Sequence, residues 1–145
     1  MTDNIHISQG HQNKEIVIRF WNEVWNDPYS MATFDDLVSD DFVISTDDKE
    51  IKGKEAFRDW LLTFQSKIDQ LRTSPLDVLI AGEGDRIVTR MRVSGLNRGI
   101  MGTVADHAPF EFIAISIMLV ENQKRVYNWV ERSAFELYKR LTTTN

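Results

Sequence analysis

The sequence predicts an α+β protein in which a curved antiparallel sheet covers a segregated set of helices. In the first half of the chain, apolar residues recur at intervals of three and four, which is typical of amphipathic helices. In the second half, consecutive segments alternate between apolar and polar residues and are separated by short turns, as in antiparallel strands. Helices do not alternate with these strands, so the pattern disfavours parallel crossovers and a doubly wound nucleotide-binding fold.

Three helices are predicted before the main run of strands. The first begins at Asn13, a suitable N-cap, and ends at the Asp27-Pro28 pair. Its apolar stripe consists of Ile16, Val17, Phe20, Trp21, Val24 and Trp25. A second, short helix is predicted over residues 30–38, and a third over residues 54–65, after Gly53.

The strands are predicted from alternation and from the turns between them. A short strand at residues 42–44 precedes a polar loop at 46–50. Four further strands are predicted over residues 76–81, 86–94, 109–120 and 125–133, followed by a short helix or coil over 135–141. In the strand at 86–94, alternation places Ile87, Thr89, Met91 and Val93 on one face and Val88, Arg90, Arg92 and Ser94 on the other.

Length and composition favour one soluble domain. Residues 1–12 are polar and are predicted to form a flexible tail, and residues 13–145 a single domain. The chain has no cysteine, which excludes disulfides and thiolate sites, and its net charge of -5 without a basic stripe disfavours nucleic acid. No signal peptide or membrane span is expected, because the longest apolar run, residues 112–119, has the length of a strand. A cytoplasmic protein without a metal or cofactor is therefore predicted.

Three short motifs, taken in order, resemble a known family. They are Asp-Asp-Phe at residues 40–42, Gly-Lys-Glu-Ala-Phe at 53–57 and Gly-Asp-Arg-Ile-Val at 84–88. Together they resemble SnoaL-like proteins of the nuclear transport factor 2-like fold, which includes polyketide cyclases, ketosteroid isomerases and scytalone dehydratase. The resemblance covers about residues 13–141. It implies a cone-shaped, cystatin-like fold with a deep, mainly apolar pocket, and homodimerisation through the sheet.

The resemblance also shows where the usual acid or base is replaced. SnoaL-like cyclases carry a catalytic Asp a few residues after a Trp on the last strand, and counting from Trp129 this position is Ser133. Where the family often has Gly-Thr-His after a central strand, this chain ends the motif with Asn97. Ketosteroid isomerases place an Asp just beyond the early strand, and Thr46 takes that position here, with Asp47 beside it.

Glu131, Asp47 and His107 are the candidate catalytic residues. Glu131 lies on the same strand face as Trp129, and burial of an inward carboxyl would raise its pKa into the range useful for an acid or base. The alternative for Glu131 is a salt bridge to an arginine on a neighbouring strand. His107 is the one histidine outside the predicted tail, and a lone loop histidine is more often solvated than catalytic.

The candidate ligand-binding residues combine aromatic and polar side chains. They are Trp21, Phe57, Trp60, Arg90, Asn97, Trp129 and Ser133. The alternative for each aromatic residue is ordinary core packing. Arg90 can bind an anionic or carbonyl-bearing ligand with its guanidinium fork, or pair with an acid on the sheet surface.

Three functional hypotheses stay open at this point. The first is a protein that binds a small, largely apolar or carbonyl-bearing molecule without catalysis, and it predicts a roomy, closed pocket. The second is a cyclase, isomerase or dehydratase that uses Glu131, Asp47 or His107. The third is a non-catalytic interaction module with little or no cavity. Residues 112–119 are apolar on both faces, so a homodimer across the sheet is expected under all three.

Overall fold

A computed structural model of the protein describes residues 2–143, with side chains from Ile7 onward. Four helices and six strands follow one another along this part of the chain. They are α1 (Thr2–Val24), α2 (Met31–Leu37), β1 (Val38–Thr46), β2 (Lys49–Lys52), α3 (Lys54–Ser66), β3 (Ile68–Ala81), β4 (Arg86–Asn97), β5 (Pro109–Glu121), β6 (Lys124–Arg132) and α4 (Ala134–Thr142). A short 3-10 turn, Ile100–Gly102, lies between β4 and β5. The predicted α+β class is confirmed.

The six strands form one curved sheet in the order β2-β1-β6-β5-β4-β3. All neighbouring strands are antiparallel except β1 and β6, which pair in parallel, with Ile44 opposite Asn128 and Ser45 opposite Trp129. The expectation of a wholly antiparallel sheet was therefore wrong at this pair. The pattern within a strand does not reveal the direction of a partner that lies some eighty residues away in the sequence.

The first helix begins earlier than predicted. α1 starts at Thr2, so the predicted helix start at Asn13 was wrong. Asn13 is an interior helix residue, and its buried Nδ2 donates to the carbonyl oxygen of Gly84 at 2.7 Å, in the turn between β3 and β4. Gly10 is also buried, and a Cβ there would lie 2.7 Å from Cγ2 of Ile80. The flexibility predicted for residues 1–12 stays a prediction, and Met1 lies outside the described residues.

Two strands extend into segments where the sequence predicted loops or breaks. The polar segment 46–50 forms most of a tight hairpin, in which Asp47 and Asp48 turn the chain with φ values of 53° and 61°. Pro75 lies inside β3, which begins at Ile68 and not at the predicted residue 76. It is tolerated there because β3 is an edge strand and the register shifts between Pro75 and Asp77.

The core lies between the helices and the inner face of the sheet. The predicted alternation in β4 is confirmed, since Ile87, Thr89, Met91 and Val93 are all buried. In β5 the even-numbered residues are buried, whereas Ile115 and Ile117 are exposed on the outer face. None of the helices within residues 2–143 is both long and apolar enough to cross a membrane.

Candidate functional site

A small cavity lies between α1, α3 and the inner face of the sheet. Its volume is about 30 Å³, which is room for roughly two water molecules, whereas small-molecule sites usually measure about 300–1,000 Å³. Four aromatic residues on the helix side line it, together with six apolar residues of the sheet and two polar residues of β6, Asn128 and Arg132. The space is largely apolar, and it is smaller than the roomy, closed pocket expected from the sequence.

The aromatic wall follows from helical spacing. Trp21 lies in the last turn of α1 and Trp25 directly follows the end of that helix, four residues further on. Trp60 and Phe64 lie one turn apart on α3 and share a face of it. The Trp60 and Phe64 rings are stacked with centroids 5.5 Å apart, and Trp25 lies 5.4 Å from Phe64. Trp21 donates its Nε1 hydrogen to Oγ1 of Thr89 at 3.3 Å. The buried Nε1 of Trp25 has no acceptor among the described residues.

The polar wall comes from alternate residues of β6. The hydroxyl of Ser116 donates to Oδ1 of Asn128 at 2.6 Å, so Nδ2 is the remaining hydrogen-bonding atom of that side chain. Arg132 donates through Nη2 to the carboxylate of Asp47, which stands on the β1–β2 turn. The Arg132 side chain is 15% exposed, and its buried Nε has no partner within residues 2–143. The Arg132–Asp47 pair therefore marks the edge of the cavity that reaches solvent.

A second guanidinium group, that of Arg125, lies deeper in the core. It lies 3.3 Å from the centroid of the Phe20 ring and 5.9 Å from that of Trp21, which also lines the cavity. Nε contacts the sulfur of Met118, and neither Nη1 nor Nη2 has a hydrogen-bond partner among the described residues. Complete burial without a carboxylate holds the pKa of Arg125 well below that of an exposed arginine, because desolvation disfavours the charged form.

Trp129 and Glu131 share a strand face, but that face is the outer one. Trp129 is 38% exposed and its ring lies 4.1 Å from that of Tyr127, while Glu131 is exposed opposite Ile115 on β5. The expectation that they line the pocket was wrong. Alternation shows which residues share a face but not which face is inner, and β5 is apolar on both faces, so it could not decide the question.

The other residues proposed from the lost family motif also lie away from the cavity. Ser133 is an exposed residue at the start of α4, and its amide donates to the carbonyl oxygen of Ile113 at 3.0 Å. Asn97 is fully buried, and both ends of its side-chain amide form hydrogen bonds with the loop that follows β4. Its Oδ1 accepts from the amides of Gly99 and Ile100, and its Nδ2 donates to Thr103 and Val104. Its hydrogen bonds organise that loop.

The remaining predicted residues are divided between the core, the surface and the cavity. Of the seven ligand-binding candidates, only Trp21 and Trp60 line the cavity. Phe57 packs beside it in the core, 4.6 Å from Phe42. Arg90 lies on the outer face, 3.7 Å from Asp77. His107 is 60% exposed in its loop and pairs with Asp69 at 3.5 Å.

Sequence reasoning missed Asn128 and Arg132 as site residues. Both alternate with Trp129 along β6 and share a face with Val130, a buried residue. A single valine between two polar residues is a weak signal of an inner face, because patterning assigns charged residues to the outside. Trp25 was placed in the apolar stripe of the first predicted helix but was not singled out for the site.

A curved mixed sheet closed by helices over an inner cavity defines the nuclear transport factor 2-like fold class. The family model for SnoaL-like polyketide cyclases matches residues 15–141, and the chain belongs to that family. No curated protein matches the sequence.

Solved structures of similar proteins share this fold. A candidate SnoaL-like polyketide cyclase from Jannaschia sp. CCS1 has 14% identity and a TM-score of 0.84, over 93% of this chain and 94% of its own. TsrD from Streptomyces laurentii has 25% identity and a TM-score of 0.72, over 94% and 97%. IdmH from Streptomyces antibioticus, described as a candidate polyketide cyclase, has 17% identity and a TM-score of 0.78, over 92% and 100%.

Proposed function

We propose that the protein binds a compact, largely apolar molecule with at least one oxygen acceptor in the cavity between α1, α3 and the sheet. The main support is the pair of buried donors without acceptors, Trp25 Nε1 and Arg132 Nε, on side chains that line an otherwise apolar space. A buried donor without a partner is unfavourable, so a carbonyl or similar oxygen from a ligand would relieve it.

Binding requires the cavity to expand. Benzene occupies an apolar cavity of roughly 150 Å³ in a protein core, several times the 30 Å³ present here. Trp60 and Phe64 are only half-buried, whereas Trp21 is almost fully buried, so the α3 side of the wall is the one that can move. The proposal therefore describes an induced expansion, with rearrangement of the Trp60 and Phe64 rings.

Simple binding is favoured over acid/base catalysis. No carboxylate or imidazole is among the described residues that line the cavity, and a guanidinium offers donors only, with no acceptor for a proton. Of the three catalytic candidates, Asp47 alone stands near the cavity, and Arg132 engages its carboxylate. Glu131 and His107 are exposed and lie away from the cavity. A cyclase, isomerase or dehydratase activity is therefore the less favoured, alternative proposal.

The four tryptophan side chains provide the test. Trp21, Trp25 and Trp60 line the cavity, and Trp129 on the outer face is an internal control. The protein is titrated with acetophenone, and the tryptophan indole N–H signals are followed by NMR. We expect the signals of Trp21, Trp25 and Trp60 to shift and that of Trp129 to stay unchanged.

A pair of matched variants strengthens this test. Ala114→Leu fills the cavity and should abolish the shifts, whereas Ala105→Leu makes the same change in an exposed loop and should leave them. Unchanged signals of Trp21, Trp25 and Trp60 at saturating acetophenone would refute the proposal and favour the interaction-module hypothesis.

We also propose that two copies pair through the outer face of the sheet. Ile115 and Ile117 are exposed there, next to Trp129. Arg90 and Glu131 flank Ile115 on the neighbouring strands, so a two-fold axis near Ile115 would bring each arginine opposite the partner copy's carboxylate. Light scattering should give about twice the chain mass of 16.8 kDa, and Ile115→Asp should halve it. A monomer at micromolar concentration would refute the pairing.

The proposed cellular location is the cytoplasm. A chain without cysteine forms no disulfide and suits a reducing compartment.

A further inference from the structure

Two arginine side chains enter the interior of the protein, and no Asp or Glu is buried among the described residues. Arg125 and Arg132 both project from β6 into the region enclosed by the sheet and the helices. Arg125 has no carboxylate partner within residues 2–143, and Arg132 has one, the exposed Asp47. Charges in a low-dielectric interior interact more strongly than charges in water, so this region favours an anion over a neutral group.

Arg132 has the free hydrogen-bonding capacity that an anion would need. It donates to Asp47 through Nη2, while its Nε has no partner among the described residues. A guanidinium can bind a carboxylate with two parallel N–H groups, and one of these groups is unused here. Asp47 is 54% exposed on a turn, so its carboxylate can return to water when another acid replaces it.

We propose that the ligand of this cavity is a compact apolar carboxylate, whose charged group binds the guanidinium of Arg132 and displaces Asp47. The inference rests on the proposed function and names the class of ligand. The apolar part would contact Trp25, Trp60 and Phe64, and Nδ2 of Asn128 is a further donor on the same strand. Arg125 acts at longer range through its charge, behind Trp21.

Benzoate and benzamide separate the charge of the ligand from its shape, because they are nearly isosteric. We expect the unmodified protein to bind benzoate about tenfold more tightly than benzamide, as measured by the shifts of the Trp21, Trp25 and Trp60 indole N–H signals.

Two variants assign this preference to the ion pair, and a third is the control. Arg132→Gln should remove the preference for benzoate. Asp47→Asn should tighten benzoate binding by about threefold without changing benzamide binding, because it removes the competing acid. Arg86→Gln removes a charge at an exposed pair with Asp85 and should change neither affinity.

The outcomes distinguish the two proposals. If neither probe shifts the three cavity signals, the proposed function itself fails. If benzamide binds as tightly as benzoate, the cavity is a ligand site but the inference about its ligand is wrong. Weaker benzoate binding in Asp47→Asn would refute the displacement of Asp47. Should Arg132→Gln fail to fold, Arg132→Lys, which keeps the charge but loses the fork, must still lower the benzoate preference.

Discussion

Replacement of Arg125 by methionine should stabilise the protein. The guanidinium is fully buried, and its two terminal nitrogens have no hydrogen-bond partner among the described residues. Methionine keeps an unbranched, flexible stem among Phe20, Phe42 and Met118 but carries no charge into the core. The substitution therefore removes the unfavourable desolvation and retains most of the packing.

The expected gain follows from two opposing contributions. Each buried nitrogen without a partner costs about 1–3 kcal/mol, so the pair costs roughly 4 kcal/mol. The contact with the Phe20 ring at 3.3 Å is a desolvated cation–π interaction, which contributes about 2 kcal/mol and is lost in the variant. The net gain in the free energy of unfolding is about 2 kcal/mol, or a rise in Tm of roughly 4–8 °C for a chain of this size.

Urea denaturation of Arg125→Met beside the unmodified protein measures this difference. Arg86→Met makes the same substitution at an exposed site and should change the free energy of unfolding by less than about 0.5 kcal/mol. A loss of more than about 1 kcal/mol in Arg125→Met would refute the reasoning, because it would mean that a buried water or anion satisfies the guanidinium. Arg125→Met should also bind benzoate more weakly, so the charge would be retained for binding at the expense of stability.

Two further predictions concern stability. Burial, and to a lesser extent the charges of Asp27 and Asp69, raises the pKa of Tyr29 to about 12. The neutral Tyr29 therefore stabilises the folded protein fully below the unfolded pKa of about 10, and this stabilisation is lost as the pH rises through 12. Relative to Tyr29→Phe, the unmodified protein should lose stability over that interval in urea titrations, and an unchanged difference would contradict this. Asn97→Ala removes four hydrogen bonds from the loop after β4 and should lower the free energy of unfolding by about 2–4 kcal/mol; a loss under about 1 kcal/mol would contradict it.

The sequence predicted the elements of the fold better than their arrangement. Helical and alternating periods located α3, β4 and β5 to within a few residues, because each has a continuous apolar face. The polar N-terminal part of α1 gave no such signal. The parallel contact of β1 with β6 is a long-range choice of partner that local patterning does not contain.

The site was harder to predict for a physical reason. The sequence analysis took the face of β6 that carries Trp129 as the inner one, and alternation then placed Arg132 on the outside. Arg125 was not considered, because a charged residue is rarely buried without a partner. The two arginines break the pattern on the inner face of β6, and departures from local rules are expected at functional sites. The aromatic wall was partly found, since Trp21 and Trp60 follow helical spacing that the sequence displays directly.

A crystal structure of the protein grown with benzoate tests the central claim most directly. We expect the aromatic ring among Trp25, Trp60 and Phe64, in a cavity enlarged beyond its present 30 Å³, with a carboxylate oxygen within hydrogen-bond distance of Arg132 Nε and Asp47 turned towards solvent. A closed, empty cavity with Arg132 still paired to Asp47, and benzoate absent or bound only on the outer face, would contradict the account.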